Sequence, residues 1–463
     1  MPVIPIQNEI LKAILPYMDP NKRFQISFRM PSISSLESRT PLKIENLTFS
    51  KVHTEVNKVS YQLGVYRDYG RNETPYNVLR MNQGGGSLSE IDQYGLIIHP
   101  EVNIALPGDI DLRTTAQRDV LANTEESEQD VVQQLRVLKM ILAERLNQEY
   151  IEDDETRNAA VGEPANAFVE TYREITLKAS VETIQSRIQY LRNLLRALKN
   201  RQDNRVPPCT PWIQLSMRSS TGVTIQRVAY NKYLYEATKA VTTKLFGNRG
   251  SNISVKNLII EPHSPFSNHI LRFPAGTILK IDNLEVAFWN SLVFERFKQV
   301  IHPSSLPIQR LKISSNTLSA DFQHTIAREP KRLIISNDIN ENRSWTPILR
   351  NLTNRRVYLE NENARNPPND YMDLIENWLE RGRPVGTCFY MGIKSEETVK
   401  QCLDTLKQRE EVVGSSEKQV QLRINAATML EVSYEMAVRR VRLLRDNQSK
   451  WWLRIRVLRE RSD

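Results

Sequence analysis

The sequence predicts an α/β chain, α+β overall when its parts are taken together, on three observations. Short apolar runs with strand-like alternation recur at nearly constant spacing in the second half, helical apolar stretches lie between most of them, and two long stripes of helical period occupy the middle. A β-rich N-terminal module, a helical hairpin and a C-terminal irregular α/β domain follow. At 463 residues the chain exceeds the size at which single cores stop growing, so two or three folding units are expected.

The C-terminal unit is expected over 208–463, after the break Arg205-Val206-Pro207-Pro208. Ile213 and Leu215, then Val223 to Val228, read as strands. Tyr233 to Phe246 reads as a helix with Leu234, Ala237, Val241 and Leu245 on its buried face, ended by Gly247-Asn248. The recurring runs are Val255 to Ile260, Leu279 to Val286, Ile308 to Ile313, Lys331 to Ile335 and Arg355 to Leu359, whose ends advance by 26, 27, 22 and 24 residues. Helical stretches at Phe288 to Ile301, Leu318 to Ala327 and Tyr371 to Trp378 accompany them. A strand plus a helix at this period is the spacing of a leucine-rich-repeat-like layer, in which each unit needs its neighbour to bury its apolar side. Crossovers of that length permit parallel strands at Leu258, Leu284, Leu311, Leu333 and Val357. The units lack a regular Leu-x-x-Leu-x-Leu pattern and an asparagine ladder.

The middle of the chain, 123–205, predicts a helical hairpin with an acidic linker. Val131, Leu135, Leu138, Leu142 and Leu146 form one stripe, and Val181, Ile184, Ile188, Leu191, Leu195 and Leu198 the other. The stripes are short for a stable isolated coiled coil, so packing within one chain is expected.

Before the hairpin, 41–115 reads as a β-rich module of alternating runs such as Tyr61, Leu63 and Val65, with turns at Tyr69-Gly70 and Gly84-Gly85-Gly86. No Gly-Lys-Ser/Thr follows the glycine triplet, so it reads as a hairpin loop rather than a phosphate cradle. The first segment, 1–36, reads as two short helices around Asp19-Pro20, where Asp19 caps and proline opens the second helix. It is either a packing arm or a docking helix pair.

Composition narrows the function classes. The chain begins without a basic and apolar leader, and no stretch approaches about 18 consecutive apolar residues, so neither secretion nor a membrane helix is expected. Three cysteines, Cys209, Cys388 and Cys402, fit a reducing, intracellular setting better than a disulfide framework. The net charge of +9 is polarised: Arg439 to Asp463 holds nine Lys/Arg against three Asp/Glu, whereas Asn123 to Glu155 holds ten acidic residues against three basic. Such asymmetry suits self-docking or partner selection as well as a phosphate backbone.

No motif for catalysis, metal or cofactor is readable. His263 and His269 lack an HExxH context, Cys388 and Cys402 lack CxxC spacing, and Glu152-Asp153-Asp154-Glu155 lacks the glycine of a calcium loop. Trp451 to Val457 alternates arginine with aliphatics. That is a closing amphipathic strand, or a stacking platform for single-stranded nucleic acid. Nucleic acid is not the expected partner.

Thr224 to Lys239, Thr243 to Arg249, Arg272-Phe-Pro274, Ser304 to Pro307, Gly386 to Phe389, Tyr94-Gly95 and Pro107 to Asp109 together resemble a nematode-expanded family of uncharacterised proteins, the F-box C-like family. The segment around Ile10, Ile14, Leu15, Met18 and Phe24 is similar to a short F-box, with Phe28-Arg-Met-Pro31 in place of a third helix bearing Cys and Trp. The resemblance implies a non-enzymatic, substrate-recognising adaptor whose N-terminal residues contact the linker subunit of a cullin-type ubiquitin ligase. The alternatives are a nucleic-acid-associated binder using the basic C-terminus, or a scaffold unrelated to ubiquitin.

Overall fold

The structure, a computed structural model, describes residues 8–50, 53–98, 104–112, 128–152, 180–249, 253–261, 270–286, 290–314, 319–336, 344–360, 370–436 and 451–460. Asp153 to Glu155, His263, His269 and the basic stretch Arg439 to Lys450 lie outside the described residues. Among the described residues helix accounts for 39% and strand for 32%, so the α/β class holds.

Three helices open the chain: α1 (Asn8–Ile14), continued by the 3-10 turn Leu15–Tyr17, α2 (Pro20–Arg29) and α3 (Pro31–Arg39). Asp19 caps α2, its Oδ1 accepting from the N–H of Asn21 at 2.9 Å and of Lys22 at 3.3 Å. Strands β1 (Leu42–Phe49), β2 (His53–Val56) and β3 (Val59–Asp68) pair antiparallel in sequence order. Then come α4 (Tyr76–Gln83), the short strands β4 (Glu90–Ile91), β5 (Ile97–Ile98) and β6 (Ile110–Asp111), and the helices α5 (Glu128–Arg145) and α6 (Val181–Gln202).

Beyond them lie β7 (Thr210–Ser219), β8 (Gly222–Ala229), α7 (Leu234–Phe246), β9 (Ile253–Ile260), β10 (Ile270–Leu271) and β11 (Leu279–Val286). A run of crossovers follows: α8 (Ser291–Phe297), β12 (Arg310–Ser314), α9 (Thr325–Arg328), β13 (Leu333–Ser336), α10 (Thr346–Asn351), β14 (Arg356–Leu359), α11 (Tyr371–Arg381) and β15 (Cys388–Ile393). The chain closes on α12 (Glu396–Lys407), β16 (Val412–Ser415), β17 (Gln419–Asn425), β18 (Thr428–Met436) and β19 (Trp451–Arg459).

Fifteen strands make one sheet in the order β16-β17-β18-β19-β15-β14-β13-β12-β11-β9-β1-β2-β3-β7-β8. The five recurring runs lie in β9, β11, β12, β13 and β14, successive parallel neighbours that β15 extends by one strand. Strand β1 joins that part on the other side of β9, also parallel, so strands from 41–115 and from 208–463 share one sheet.

Register aligns a single row across ten strands: Leu47, Leu258, Leu284, Leu311, Leu333, Val357, Phe389, Ile455, Val432 and Val420. None is more than 1% exposed. Apolar residues of α7, α8, α10, α11 and α12 join the same core, where complete burial of one such side chain is worth about 1.5–3 kcal/mol.

Three sequence expectations change. Asparagines do form a ladder: β1, β9 and β11 read Leu42-Lys-Ile-Glu-Asn-Leu-Thr-Phe49, Ile253-Ser-Val-Lys-Asn-Leu-Ile-Ile260 and Leu279-Lys-Ile-Asp-Asn-Leu-Glu-Val286. Asn257 Nδ2 donates to Asn46 Oδ1 at 2.9 Å, and Asn283 Nδ2 donates to Asn257 Oδ1 at 2.8 Å. Where the alternation breaks, Asn57 Oδ1 accepts the backbone N–H groups of Glu45 at 3.0 Å and Asn46 at 3.1 Å.

The glycine triplet, second, is not a hairpin loop. It ends α4 and lays the chain directly on β3, with Val65 and Ser87 exchanging backbone hydrogen bonds at 2.8 and 2.9 Å. A Cβ on Gly86, whose φ is +101°, would sit 2.8 Å from the Val65 carbonyl. Third, the N-terminal segment holds three helices rather than two, because Pro31 starts a fresh helix directly after α2 ends at Arg29.

The two middle stripes pack on each other. Val131, Leu135 and Leu138 of α5 meet Ile184, Ile188 and Leu191 of α6 in their own apolar cluster. The start of α5 lies by the end of α6, where Gln202 Nε2 donates to Glu128 Oε2 at 2.5 Å, so the helices are antiparallel.

Candidate partner-binding face

One side of the sheet carries the core row. On the other side, the outward side chains of β12, β13 and β14 are half-buried or exposed. Outward side chains on β14, β15 and β19 converge: Tyr358 and Tyr390 are register partners, with rings stacked at 4.5 Å between centroids and 1° apart in plane. Trp452 stands edge-on to both, at 6.2 Å from Tyr358 and 6.4 Å from Tyr390. Its register partner is Gly392, which has no side chain to compete for the space. The adjacent Trp451 falls on the opposite side, against Tyr434 at 5.8 Å. Strand alternation thus divides the tryptophan pair between core and surface.

The aromatic cluster has a charged surround. Arg454 is the register partner of Tyr390; it donates from Nη2 to Glu431 Oε1 at 2.9 Å and from Nε to Ser433 Oγ at 3.0 Å. Arg356 and Arg456 flank Cys388 in register and are exposed. Two strands away, Lys312 lies 3.4 Å from both Glu285 and Glu360. Burial works against the Lys312 charge, but the two carboxylates outweigh it and hold its pKa above the ordinary lysine value. Burial, with the neighbouring Cys388, pushes the Tyr390 hydroxyl up to about 12, so at neutral pH it is a neutral donor.

Half-buried aromatic rings ringed by arginines suit a partner that supplies apolar or aromatic side chains and carboxylates. Among the described residues no cluster of three or more His, Cys, Asp or Glu is arranged to hold a metal ion. No described helix is long and apolar enough to cross a membrane.

The N-terminal candidates divide by burial. Ile10 and Ile14 are 50% and 47% exposed, Tyr17 beside them is exposed, and Met18 is half-buried. Leu15 and Phe24, at 0% and 1%, belong to the interior, Phe24 edge-on to Phe246 at 6.1 Å. In this conformation a partner reaches Ile10 and Ile14 but not Leu15 or Phe24.

Tyr358 and Tyr390 escape a reading of the sequence for motifs. Their signal is positional: each occupies the outward place between two core residues of its strand, Val357 and Leu359 for Tyr358 and Phe389 and Met391 for Tyr390.

Residues 233–395 match a domain of unknown function, DUF3557. The match starts at the residue capping α7 and ends just past β15, so it contains the parallel ladder from β9 onward together with Tyr358 and Tyr390. Strands β1 and β19, and with them Trp452 and Arg454, lie outside it. No curated protein and no solved structure matches the chain.

Proposed function

We propose that the protein is a non-enzymatic binding protein that holds a partner polypeptide on the outward face of its parallel, repeat-like layer. The observation that carries this reading is the Tyr358–Tyr390–Trp452 cluster, assembled by strand register on the outward side of β14, β15 and β19. Half-exposed aromatic rings rimmed by charge suit an interaction site.

In the adaptor form of this reading, the F-box-like segment supplies the second contact. The exposed Ile10 and Ile14 of α1 would dock the linker subunit of a cullin-type ligase, while the outward face presents the substrate. The exposed side of α1 and the buried Leu15 in the turn that follows it both support it.

Affinity capture of the full chain under reducing conditions, followed by mass spectrometry, tests both halves. Wild type is expected to retain linker subunit, cullin and a set of substrates. Ile10→Asp with Ile14→Asp should lose the ligase subunits and keep the substrates, and Tyr358→Ala with Trp452→Ala should do the reverse. A wild type that never retains the linker subunit removes the ubiquitin reading. Partners that vanish on nuclease treatment, or that survive the aromatic substitutions, remove the polypeptide-binding face.

A further inference from the structure

A cleft of about 790 Å³ lies between the end of β3, α4, the β4–β5 turn and α6. It shares no residue with the outward sheet face. Its floor is a buried guanidinium. Four arginines of the described residues are buried, and three of them pair with carboxylates: Arg23 and Arg249 with Glu37, and Arg272 with Asp109. The fourth, Arg67, is 9% exposed, and the described residues place no carboxylate within ion-pair distance of it. Its guanidinium contacts the Met81 thioether, Nη2 to Sδ at 3.7 Å.

A charge held this deep without a counter-ion is costly, because desolvation is not repaid by Coulomb attraction. The surroundings do not supply the missing charge. Among the described residues, Arg80, Arg196 and Arg205 line the cleft with Glu73 as the one acidic residue, so this lining is basic overall. At its edge Gly95 has a φ of +90°, and a Cβ there would stand 3.2 Å from Arg67 Nη1. The glycine therefore leaves room beside the guanidinium fork. Tyr69 and Tyr190 offer ring surface, and the volume falls within the range of about 300–1,000 Å³ common for small-molecule sites.

We infer that this cleft binds a small ligand through a carboxylate or phosphate group, which pairs with Arg67 at the floor while the ligand body rests against the tyrosine rings. Both groups match a guanidinium fork, and one site serves either.

Isothermal titration of the full chain, with ionic strength matched by KCl, tests this using pyrophosphate in one arm and citrate in the other. Saturable binding is expected in at least one arm, and the arm that saturates assigns the group. Arg67→Met should weaken it at least tenfold, while leaving the unliganded protein as stable as wild type or more so, since an unpaired buried charge is gone. Arg205→Gln, at an exposed position, should weaken binding several-fold and decides the matter if Arg67→Met does not fold. No saturable binding in either arm, or unchanged affinity in a folded Arg67→Met, overturns the proposal.

Discussion

Arg249 and Glu37, 212 positions apart, form an ion pair in which both side chains are 2% exposed. The same carboxylate accepts from Arg23 Nε at 2.9 Å. Two guanidinia and one carboxylate thereby join α3, α2 and the residues after α7. Arg23 also donates to the carbonyls of Pro41, Glu37 and Thr40, at 2.7, 3.0 and 2.9 Å. Glu37→Gln leaves two buried positive charges facing each other, and should cost about 3–5 kcal/mol in denaturant unfolding. Replacing all three with Met should recover a large part of that loss; a Glu37→Gln protein as stable as wild type would show that the triad contributes nothing.

The exposed and buried halves of the N-terminal stripe separate in stability. Ile10→Asp with Ile14→Asp places charge in water and is expected to change unfolding free energy by no more than about 0.5 kcal/mol. Leu15→Asp, one residue further on, buries an unpaired carboxylate and should cost several kcal/mol, on the order of 3 or more. Thermal unfolding of the two variants side by side checks the difference.

Asn257 is the middle rung of its ladder, both accepting and donating. Asn257→Ala strips a partner from Asn46 and from Asn283 at once, and should lower stability by about 1–3 kcal/mol. Urea unfolding should show a reduced midpoint at unchanged slope.

Gly86→Ala meets both a close backbone and a left-handed φ. It should cost at least about 1–3 kcal/mol from backbone strain alone, with the contact to Val65 added. Gly70→Ala, also at positive φ but with nothing within 4 Å, should cost less. The gap between their melting temperatures isolates the contact.

Burial pushes the Cys402 thiol up to about 12 from an ordinary 9.0. A folded pKa above the unfolded one means that the contribution is whole below about pH 9 and is lost as pH climbs towards 12. Cys402→Ala should therefore flatten the alkaline fall in stability between those limits. At pH 8 the folded thiol should also alkylate about a thousandfold more slowly than an unshifted one, since thiolate is the reactive form. Peptide mass mapping after iodoacetamide measures that rate.

Much of this architecture is written along the chain. Leu258, Leu284, Leu311, Leu333 and Val357 stand at the centre of runs whose period matches one strand and one crossover, and they fall on one register row. Val131 and Val181 open stripes too short for an isolated coiled coil, which pack on each other. Local signals also place the Asp19 cap and the end of α7 at Gly247. In each case the information is short-range: alternation, period and capping depend on neighbours a few residues away.

Where distant segments meet was decided only by the tertiary structure. Alternation says which side of β1 is apolar, but not that β1 lies beside β9, and so the Asn46–Asn257–Asn283 ladder is invisible until the register is known. The same limit hides Tyr358 against Trp452 and Glu37 between Arg23 and Arg249. Phe24 and Ile14 look equivalent in an apolar stripe, yet one enters the core and the other faces water, because only the packed sheet determines which side of each helix is covered. Arg67 carries the lesson furthest. Nothing next to it in sequence distinguishes it from the other arginines, and its burial without a carboxylate among the described residues arises from β3, α4 and α6 closing around it from three separate parts of the chain.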